Sequence, residues 1–345
     1  VLEPAMGIGN FFGCMPEKMA EKSNLYGVEI DSISGRIAQK LYPDADIAVQ
    51  GFEKNSFQNG CFDVAVGNVP FGKLGFVDDR HGTSKLHDYF FAEAMDKLKN
   101  GGIMAFVTSA GTLDKHDESV RQMLADKADF IGAIRLPGGK NGAFKENAGT
   151  QVTTDIIFLQ KHEGKSIAEM SDIPDWVHIG QTADGLPINK YFEQNPDMVL
   201  GKVVEGNQLY GSGTMVVAED GFDMKAALHD AVVKLSATIS PEKNRDVYAR
   251  TEQGEAGKIP SNLRNFSLFM DNDKVYFKKN NVACDFICDK TSAQFKRYKA
   301  FIELRNTTRD LLTAQELDKP DSVIKDLQAK LNAVYDDFYK KYGLI

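Results

Sequence analysis

Short apolar runs alternate with amphipathic stretches over the first 160 residues of the chain. The apolar runs have the length of buried strands, and the stretches between them repeat apolar positions every three or four residues, as helices do. This alternation is typical of a doubly wound α/β sheet, whose helices cover both faces. It predicts strands at Val1–Pro4, Leu25–Ile30, Ile47–Gln50, Phe62–Gly67, Ile103–Thr108, Phe130–Leu136 and Thr154–Gln160, and helices at Phe11–Lys22, Ser32–Leu41, His87–Leu98 and Glu118–Lys127.

The last two predicted strands are joined by a glycine-rich loop, which favours a final antiparallel hairpin on an otherwise mostly parallel sheet. After Lys161 the alternation stops, and residues 166–221 are rich in Gly, Asp, Pro and Asn without a clear period. Turn residues and helical periodicity then predict a helix at Phe222–Ala237, a hairpin at Leu268–Phe277 and two long helices at Ser292–Leu317 and Asp321–Tyr342.

These changes of pattern predict three parts. Residues 1–165 form the α/β domain, residues 166–290 a smaller α+β accessory region, and residues 291–345 a helical hairpin. The chain starts at Val1 inside a predicted strand and stops just past a predicted helix. We therefore expect a longer parent protein, in which the helical hairpin connects to a further domain.

Composition is that of an ordinary globular protein, with 42% hydrophobic and 26% charged residues. No apolar run approaches the roughly 18–20 residues that cross a bilayer, and the start does not resemble a signal peptide. We expect a cytoplasmic protein with no membrane partner, in which Cys14 and Cys61 are buried thiols. Cys284 and Cys288 lack the spacing of zinc ligands, and the six histidines show no paired metal spacing, so we expect no metal.

The net charge of −8 argues mildly against nucleic acid as a partner, because phosphate binding requires a basic surface. The charge is unevenly distributed, however. From Pro241 to Arg305 there are 13 basic and 9 acidic residues. The loop after Arg135, which includes Lys140 and Lys145, is also basic. Arg135 and this loop are candidates for contacts with DNA phosphates, or equally an ordinary hairpin connection.

A glycine-rich loop, Glu3-Pro4-Ala5-Met6-Gly7-Ile8-Gly9, follows the first strand and opens the first helix. Glycines allow a tight turn there, and free N–H groups at a helix start favour polar or anionic ligands. Glu29 ends the second strand, where a carboxylate can accept both hydroxyls of a ribose. Phe52 and Glu53 follow the third strand and are candidates to cover and hydrogen-bond an adenine ring.

Taken alone, this loop does not identify the ligand. Gly7, Gly9 and Gly13 also suit a nicotinamide dinucleotide, and they can equally serve a tight turn and close packing of the first helix on the first strand.

The fourth predicted strand ends in Asn68-Val69-Pro70-Phe71. Catalytic groups of open α/β sheets lie beyond the carboxyl ends of the strands. The amine of adenine is a poor nucleophile because its lone pair is delocalised into the ring. Two acceptors for its hydrogens, the side-chain oxygen of Asn68 and the carbonyl of Val69 or Pro70, would free that lone pair, while Phe71 offers a flat face on which a flipped base can stack.

In this order the motifs resemble those of the N6-adenine DNA methyltransferases, which have a (Asp/Glu)-Pro-Ala-x-Gly-x-Gly loop followed by (Asp/Asn)-Pro-Pro-(Tyr/Phe). The resemblance covers roughly residues 1–160. It implies a Rossmann-like class I methyltransferase sheet, S-adenosylmethionine as cofactor and double-stranded DNA as partner. It also implies that Asn68 and Phe71 are catalytic and that Glu3, Gly7, Gly9 and Glu29 contact the cofactor. Together with the reasoning from the residues above, the predicted catalytic residues are Asn68, Val69, Pro70 and Phe71, and the predicted cofactor-binding residues are Glu3, Pro4, Ala5, Gly7, Gly9, Glu29, Ile30, Phe52, Glu53 and Asn68.

The sequence Gly67-Asn68-Val69-Pro70-Phe71-Gly72 is similar to the corresponding segment of methylase–helicase fusion proteins of phages, plasmids and conjugative elements. This resemblance implies a link to restriction-modification and a helicase beyond the C-terminus, since the chain has no phosphate-loop motif. The chain departs from the family pattern in three ways. Val69 replaces the first Pro and is expected to loosen the turn, Glu53 replaces the commoner Asp, and the cofactor-covering segment that precedes strand one in this class is absent.

Two other functions fit the sequence. An amino methyltransferase acting on RNA or on a protein glutamine uses a similar Asn-Pro-Pro-Tyr loop. A catalytically inert DNA-binding module of the same fold is the second alternative, motivated by Val69 and by the missing segment. A third function, that of a nicotinamide-dependent oxidoreductase, is disfavoured because it gives Asn68, Pro70 and Phe71 no role.

Overall fold

The computed structural model describes residues 1–70, 75–78, 80–162, 173–208, 211–235, 237, 259–260, 263, 267–279, 282–286 and 291–343. These residues form two compact units, Val1–Val247 and Tyr248–Ile345. The division into 1–165, 166–290 and 291–345 stays a prediction.

The first unit is built on a seven-stranded sheet with the order β3-β2-β1-β4-β7-β9-β8. The first five of these strands run parallel, and β9 pairs antiparallel with both neighbours. The predicted α/β sheet with a final antiparallel hairpin is therefore confirmed. Its strands are β1 (Leu2–Glu3), β2 (Tyr26–Glu29), β3 (Asp46–Val49), β4 (Phe62–Asn68), β7 (Leu98–Ser109), β8 (Ala128–Leu136) and β9 (Thr154–Lys161), and a separate ribbon consists of β5 (Gly75–Asp78) and β6 (Thr83–Lys85).

One face of the sheet centre is covered by a helix that is buried nearly all round. Met104 and Phe106 of β7 point to this face and are completely buried, as is Phe91, whose ring meets Phe106 edge-on at 5.3 Å. The charged residues buried on this helix are paired, as Glu93 is with Lys97 and Asp88 with Lys115. The helices of this part are α1 (Asn10–Gly13), α2 (Glu17–Ala20), α3 (Ser32–Leu41), α4 (Leu86–Lys97), α5 (Gly111–Asp114), α6 (Ser119–Ala125) and α7 (Lys145–Ala148).

The prediction of one helix at Phe11–Lys22 is wrong. The chain forms the two short helices α1 and α2, separated at Pro16, whose backbone is extended (φ −55°, ψ 134°). Proline has no N–H to donate to the preceding turn, so the helical pattern cannot continue through it. Cys14, expected to be buried, is exposed at the end of α1, whereas Cys61 is buried as expected.

Residues 173–217, which have no sequence period, form short elements packed on the β8–β9 edge. Leu200 donates its N–H to the Arg135 carbonyl, and Val216 donates to the Thr153 hydroxyl. Elements of three to seven residues are too short to show a period, which explains why the sequence does not reveal them. They are β10 (Ile179–Gln181), β11 (Pro187–Asn189), α8 (Lys190–Gln194), β12 (Lys202–Gln208) and β13 (Gly211–Val217), followed by α9 (Met224–Val232).

A buried cation joins this segment to the sheet. Arg135 is 1% exposed and makes bidentate hydrogen bonds of 2.6–3.0 Å with both Asp155 and Asp114. Its guanidinium lies 4.3 Å from the ring centre of Phe192, and Asp114 also accepts the N–H of Asn189 at 2.9 Å. Burial by itself would lower the pKa of Arg135, but the two carboxylates raise it. The hypothesis that Arg135 contacts DNA is wrong, because strand β8 carries its side chain into the core.

The second unit contains a three-stranded antiparallel sheet and a helical hairpin. Its elements are β14 (Leu268–Asp271), β15 (Lys274–Lys279), β16 (Val282–Asp285), α10 (Ala293–Glu316) and α11 (Asp321–Tyr342), so the predicted hairpin and both long helices are confirmed. The β14–β15 turn places Asn272 and Asp273 at φ 47° and 57°, a conformation that Asn and Asp tolerate. No helix within the described residues is both long and apolar enough to cross a membrane.

We predict that Arg135→Leu lowers the free energy of unfolding by about 3–5 kcal/mol, because it leaves two buried carboxylates without their cation. Urea denaturation of the chain measures this loss. The control is Lys234→Ala, which removes an exposed ion pair with Asp197 and should cost less than about 1 kcal/mol. Equal stability of the Arg135→Leu variant and the unaltered chain would contradict the structural role of Arg135.

Candidate functional site

The loop after β1 turns through two glycines at the carboxyl edge of the sheet. Gly7 and Gly9 have φ of 57° and 89°, in the left-handed region that glycine adopts without strain. A Cβ atom added at Gly7 would meet no described atom within 4 Å. Gly7 therefore faces open space, where a ligand can approach the backbone closely. Pro4 is buried and Ala5 half-buried at the start of this loop.

Glu29, at the end of β2, holds this loop in place. One carboxylate oxygen accepts the Gly7 N–H at 2.7 Å, and the other accepts the Asp31 N–H at 2.7 Å. A carboxylate oxygen has two lone pairs, so both oxygens can still accept a hydroxyl from a ligand. Ile30 follows Glu29 and is 75% exposed, which leaves an apolar side chain beside the carboxylate.

Glu3 lies beneath the same loop and is 1% exposed. Its Oε2 atom finds no hydrogen-bond partner among the described residues. Burial, reinforced by the negative charge of Glu29, raises the pKa of Glu3 to about 8. With this pKa the carboxyl group is mostly protonated at pH 7, which avoids the cost of burying a charge.

Tyr42, which the sequence analysis missed, supports the loop from behind. Its hydroxyl donates a hydrogen bond of 2.7 Å to the Gly9 carbonyl. A Cβ atom on Gly9 would overlap the Tyr42 ring, and one on Gly13 would lie 2.8 Å from the Tyr42 hydroxyl. Gly9 and Gly13 are therefore required by packing against this ring. No sequence signal links Tyr42 to a loop 33 residues away.

Asn68 is the last residue of β4 and is exposed. Strand β1 pairs with β4, and Gly67 lies against Pro4, so Asn68 is next to the glycine loop that follows β1. Val69 is 1% exposed and donates its N–H to the Val107 carbonyl at 3.0 Å. That Val69 loosens the turn relative to proline stays a prediction. Pro70 is half-buried, and Phe71 lies outside the described residues.

The two candidates after β3 differ in their surroundings. Phe52 is 2% exposed and stacks on Phe90 at 5.3 Å, with Tyr89 edge-on at 6.1 Å. Its ring therefore belongs to the packing between this turn and α4. Glu53 is exposed, and its carboxylate folds back over Gly51.

The carboxyl edge of the sheet thus combines an open glycine turn, an anchored carboxylate, a buried carboxyl group and an exposed amide. Glu3 on β1, Glu29 on β2 and Asn68 on β4 end three adjacent strands. Crevices at this edge are where open α/β sheets bind their ligands. Among the described residues no group of three His, Cys, Asp or Glu side chains has an arrangement that could hold a metal.

No family model matches the chain. The Defense against restriction protein B of Escherichia phage P1 is 34% identical to it over 184 residues, which cover 51% of this chain and 8% of the relative. The chain therefore spans less than a tenth of the length of this curated relative.

The solved structures that resemble the chain include class I S-adenosylmethionine-dependent methyltransferases and modification subunits of type I restriction enzymes. A class I methyltransferase from Listeria monocytogenes has a TM-score of 0.40 and 21% identity, covering 50% of this chain and 54% of its own. A modification subunit from Vibrio vulnificus has a TM-score of 0.40 and 18% identity, covering 56% and 54%. The EcoKI M protein has a TM-score of 0.37 and 18% identity, covering 48% and 41%. These TM-scores are low, and the fold class of the chain therefore rests on its own strand order, β3-β2-β1-β4-β7-β9-β8.

We predict that Gly9→Ala destabilises the chain through Tyr42 and not only through its positive φ. The backbone strain alone costs about 1–2 kcal/mol, and displacing the ring adds about 1–3 kcal/mol. Gly185→Ala is the matched control, since Gly185 has φ 77° and its added Cβ would meet no described atom within 4 Å. In urea denaturation the additional loss should disappear in the background Tyr42→Ala. A Gly9→Ala cost that is the same with and without Tyr42 would contradict this account.

Proposed function

We propose that this chain is the catalytic part of an S-adenosylmethionine-dependent methyltransferase that methylates the exocyclic amine of a flipped adenine in DNA. The observation that carries the proposal is the exposed amide of Asn68 at the end of β4, beside the loop that Glu29 anchors. A nucleotide-type ligand bound at the ends of β1 and β2 would bring its reactive group next to this amide.

The residues at the first two strands fit the proposed cofactor. The Glu29 oxygens have free lone pairs for the two ribose hydroxyls, and exposed Ile30 offers an apolar surface to the adenine ring. The open side of Gly7 leaves room for the methionine part of the cofactor. The buried carboxyl group of Glu3 suits the amino group of that methionine part. Bound S-adenosylmethionine supplies a methyl group already activated by a positive sulfur.

Asn68 and the backbone after it would prepare the nucleophile. The Asn68 side-chain oxygen takes one hydrogen of the amine, and the carbonyl of Val69 or Pro70 takes the other, which draws the nitrogen toward a tetrahedral geometry and frees its lone pair. The Val69 N–H is fixed on the Val107 carbonyl, so this turn is held rigidly to β7. Alignment of nitrogen, methyl and sulfur by a rigid site can lower the barrier by about 7–11 kcal/mol.

DNA is the proposed substrate because the relative from phage P1 is named for defence against restriction. The net charge of −8 gives no support to this choice over RNA or protein. We also propose that residues 166–290 contribute to target recognition. A helicase domain in a longer polypeptide is part of the same proposal, motivated by the similarity of residues 67–72 to methylase–helicase fusion proteins.

The experiment that tests the proposal is transfer of a tritiated methyl group from S-adenosylmethionine to duplex DNA, RNA or protein. We expect label in the adenine amine of DNA, and loss of at least about 100-fold in kcat for Asn68→Ala, with nearly unchanged cofactor affinity by calorimetry. Asp63→Ala, at the exposed amino end of the same strand, is the control and should retain activity.

If label appears only in RNA or only in protein, DNA is not the substrate and the corresponding alternative function is correct. Cofactor binding without transfer to any of the three would favour the inert module. Full activity of Asn68→Ala would remove this residue from the chemistry.

We predict that cofactor affinity rises with pH through Glu3. In the free chain the Glu3 carboxyl, with its pKa of about 8, is mostly protonated at pH 7. A bound cation favours the ionised form and lowers this pKa. Affinity should therefore increase by up to about tenfold per pH unit between pH 6 and 8 and level off above pH 8.

Calorimetry across this range measures the effect, and Glu3→Gln should abolish the Glu3 contribution. Titration of the amino group of the cofactor is common to both proteins and cancels in the comparison. Parallel pH profiles of the two proteins would show that Glu3 does not meet the charge of the cofactor.

A further inference from the structure

The β5–β6 ribbon stands in the chain between the catalytic turn proposed after β4 and helix α4. It begins at Gly75, five residues after Pro70, and ends at Lys85, directly before α4. Gly75 pairs with Lys85, and Asp78 pairs with Thr83, so the ribbon returns to the place where it starts. Five residues span at most about 17 Å, and the position of Gly75 therefore limits the path of the chain that leaves Pro70.

A histidine in the turn of this ribbon fastens it to α4. The His81 side chain is 4% exposed, and each of its ring nitrogens meets a carboxylate. Nδ1 lies 2.5 Å from Oδ2 of Asp78 on β5, and Nε2 lies 3.0 Å from Oδ2 of Asp96 in α4. The ring of Tyr89, also in α4, meets the His81 ring edge-on at 6.2 Å. His81 therefore bridges the ribbon and the helix.

This bridge requires a charged ring. A neutral imidazole has one N–H donor and one acceptor nitrogen, whereas the imidazolium ion donates from both nitrogens. Because both partners of His81 are carboxylates, which accept hydrogen bonds, only the imidazolium ion satisfies both contacts. In the neutral form one nitrogen would direct its lone pair at a carboxylate oxygen. Histidine changes its charge between about pH 5 and 8, so the bridge forms at low pH and is lost as the pH rises.

The other charged groups around His81 come from the ribbon, from α4 and from the chain after α6. They are Asp78, Arg80, Glu93, Asp96, Lys97 and Lys127. Lys127 pairs with Asp96 at 2.8 Å, and Lys97 pairs with Glu93 at 3.1 Å. Burial would raise the pKa of Asp96, but the hydrogen bonds from Lys127 and His81 lower it. Within this group His81 is the residue type that titrates near neutral pH.

We propose that His81 is a positioning residue for the methyl transfer, whose imidazolium ion holds the β5–β6 ribbon on α4 and thereby holds the chain that leaves Pro70. The inference rests on the proposed function, in which the carbonyl of Val69 or Pro70 accepts a hydrogen from the target amine. Asn68 does not depend on this bridge, because the pairing of β4 with β7 holds it. Loss of the bridge should therefore impair the use of DNA and leave cofactor binding unchanged.

Asp78→Asn separates this role of His81 from a purely structural one. The asparagine amide can donate to Nδ1 of neutral His81 while its oxygen keeps the bond from the Arg80 N–H, and after rotation it can accept from the imidazolium ion. The bridge should then form at every pH. His81→Gln should lose it at every pH, because one amide group cannot replace two nitrogens on opposite sides of a ring.

Hydrogen exchange of residues 75–85 measures the bridge without any substrate. From about pH 6 to about pH 8.5 the protection of these amides, corrected for their intrinsic rates, should fall about tenfold in the unaltered chain, because a charge-assisted hydrogen bond is lost. It should stay constant in Asp78→Asn and be low throughout in His81→Gln. The control His229→Gln, which removes an exposed histidine from α9, should match the unaltered chain. If His81→Gln is protected as well as the unaltered chain at about pH 6, the bridge is refuted.

Steady-state methyl transfer at saturating cofactor tests the effect on the site. The ratio of kcat/KM for DNA between the unaltered chain and His81→Gln should be about 3- to 10-fold near pH 6 and approach one near pH 8.5, since titrations common to both proteins cancel. The ratio between Asp78→Asn and His81→Gln should stay high throughout. Calorimetry should give all three proteins the same cofactor affinity. A ratio between the unaltered chain and His81→Gln that does not change with pH would overturn the positioning role.

The two proposals fail in different ways. If the unaltered chain transfers no methyl group to DNA, the proposed function is refuted and the positioning role with it, whatever hydrogen exchange shows for the bridge. If the chain methylates DNA and its advantage over His81→Gln is the same at every pH, only the inference about His81 is refuted.

Discussion

The Glu29 carboxylate joins the glycine loop after β1 to the turn after β2, in addition to the bond from the Met6 N–H to the Val28 carbonyl. The two N–H groups it accepts belong to Gly7 and Asp31, which lie beyond the ends of β1 and β2. A charged acceptor makes these bonds short and strong. The open side of Gly7 depends on that loop staying where the carboxylate holds it.

A second constraint fixes the other side of the site. Val69 donates to Val107 and so prolongs the β4–β7 pairing by one residue past Asn68. A proline in this place has no N–H and could not make that bond. The substitution that departs from the family motif therefore replaces conformational restriction of the turn by a hydrogen bond to the neighbouring strand.

Local patterns predicted the sheet and the long helices well: helix α3 and helix α11 begin and end where their periodicity does. The placement of Asn68 and Glu29 also followed from sequence, since each ends a strand of the predicted sheet. What could not be predicted depends on distant contacts. Tyr42 touches a loop 33 residues away, and Arg135, which resembled the start of a basic loop, is neutralised by Asp114 and Asp155 only once the chain has folded.

The buried charge of Arg135 has a consequence for where this protein can be cut. Asp114, which pairs with Arg135, also accepts a hydrogen bond from the Asn189 N–H, and the flat face of the Arg135 guanidinium is covered by Phe192. Asn189 and Phe192 both follow the seven-stranded sheet in the chain. A polypeptide that ends near residue 165 lacks Asn189 and Phe192, so water would reach the Arg135 guanidinium and the carboxylates of Asp114 and Asp155. The sheet and the described part of the segment through Val217 therefore need each other to keep this charge buried.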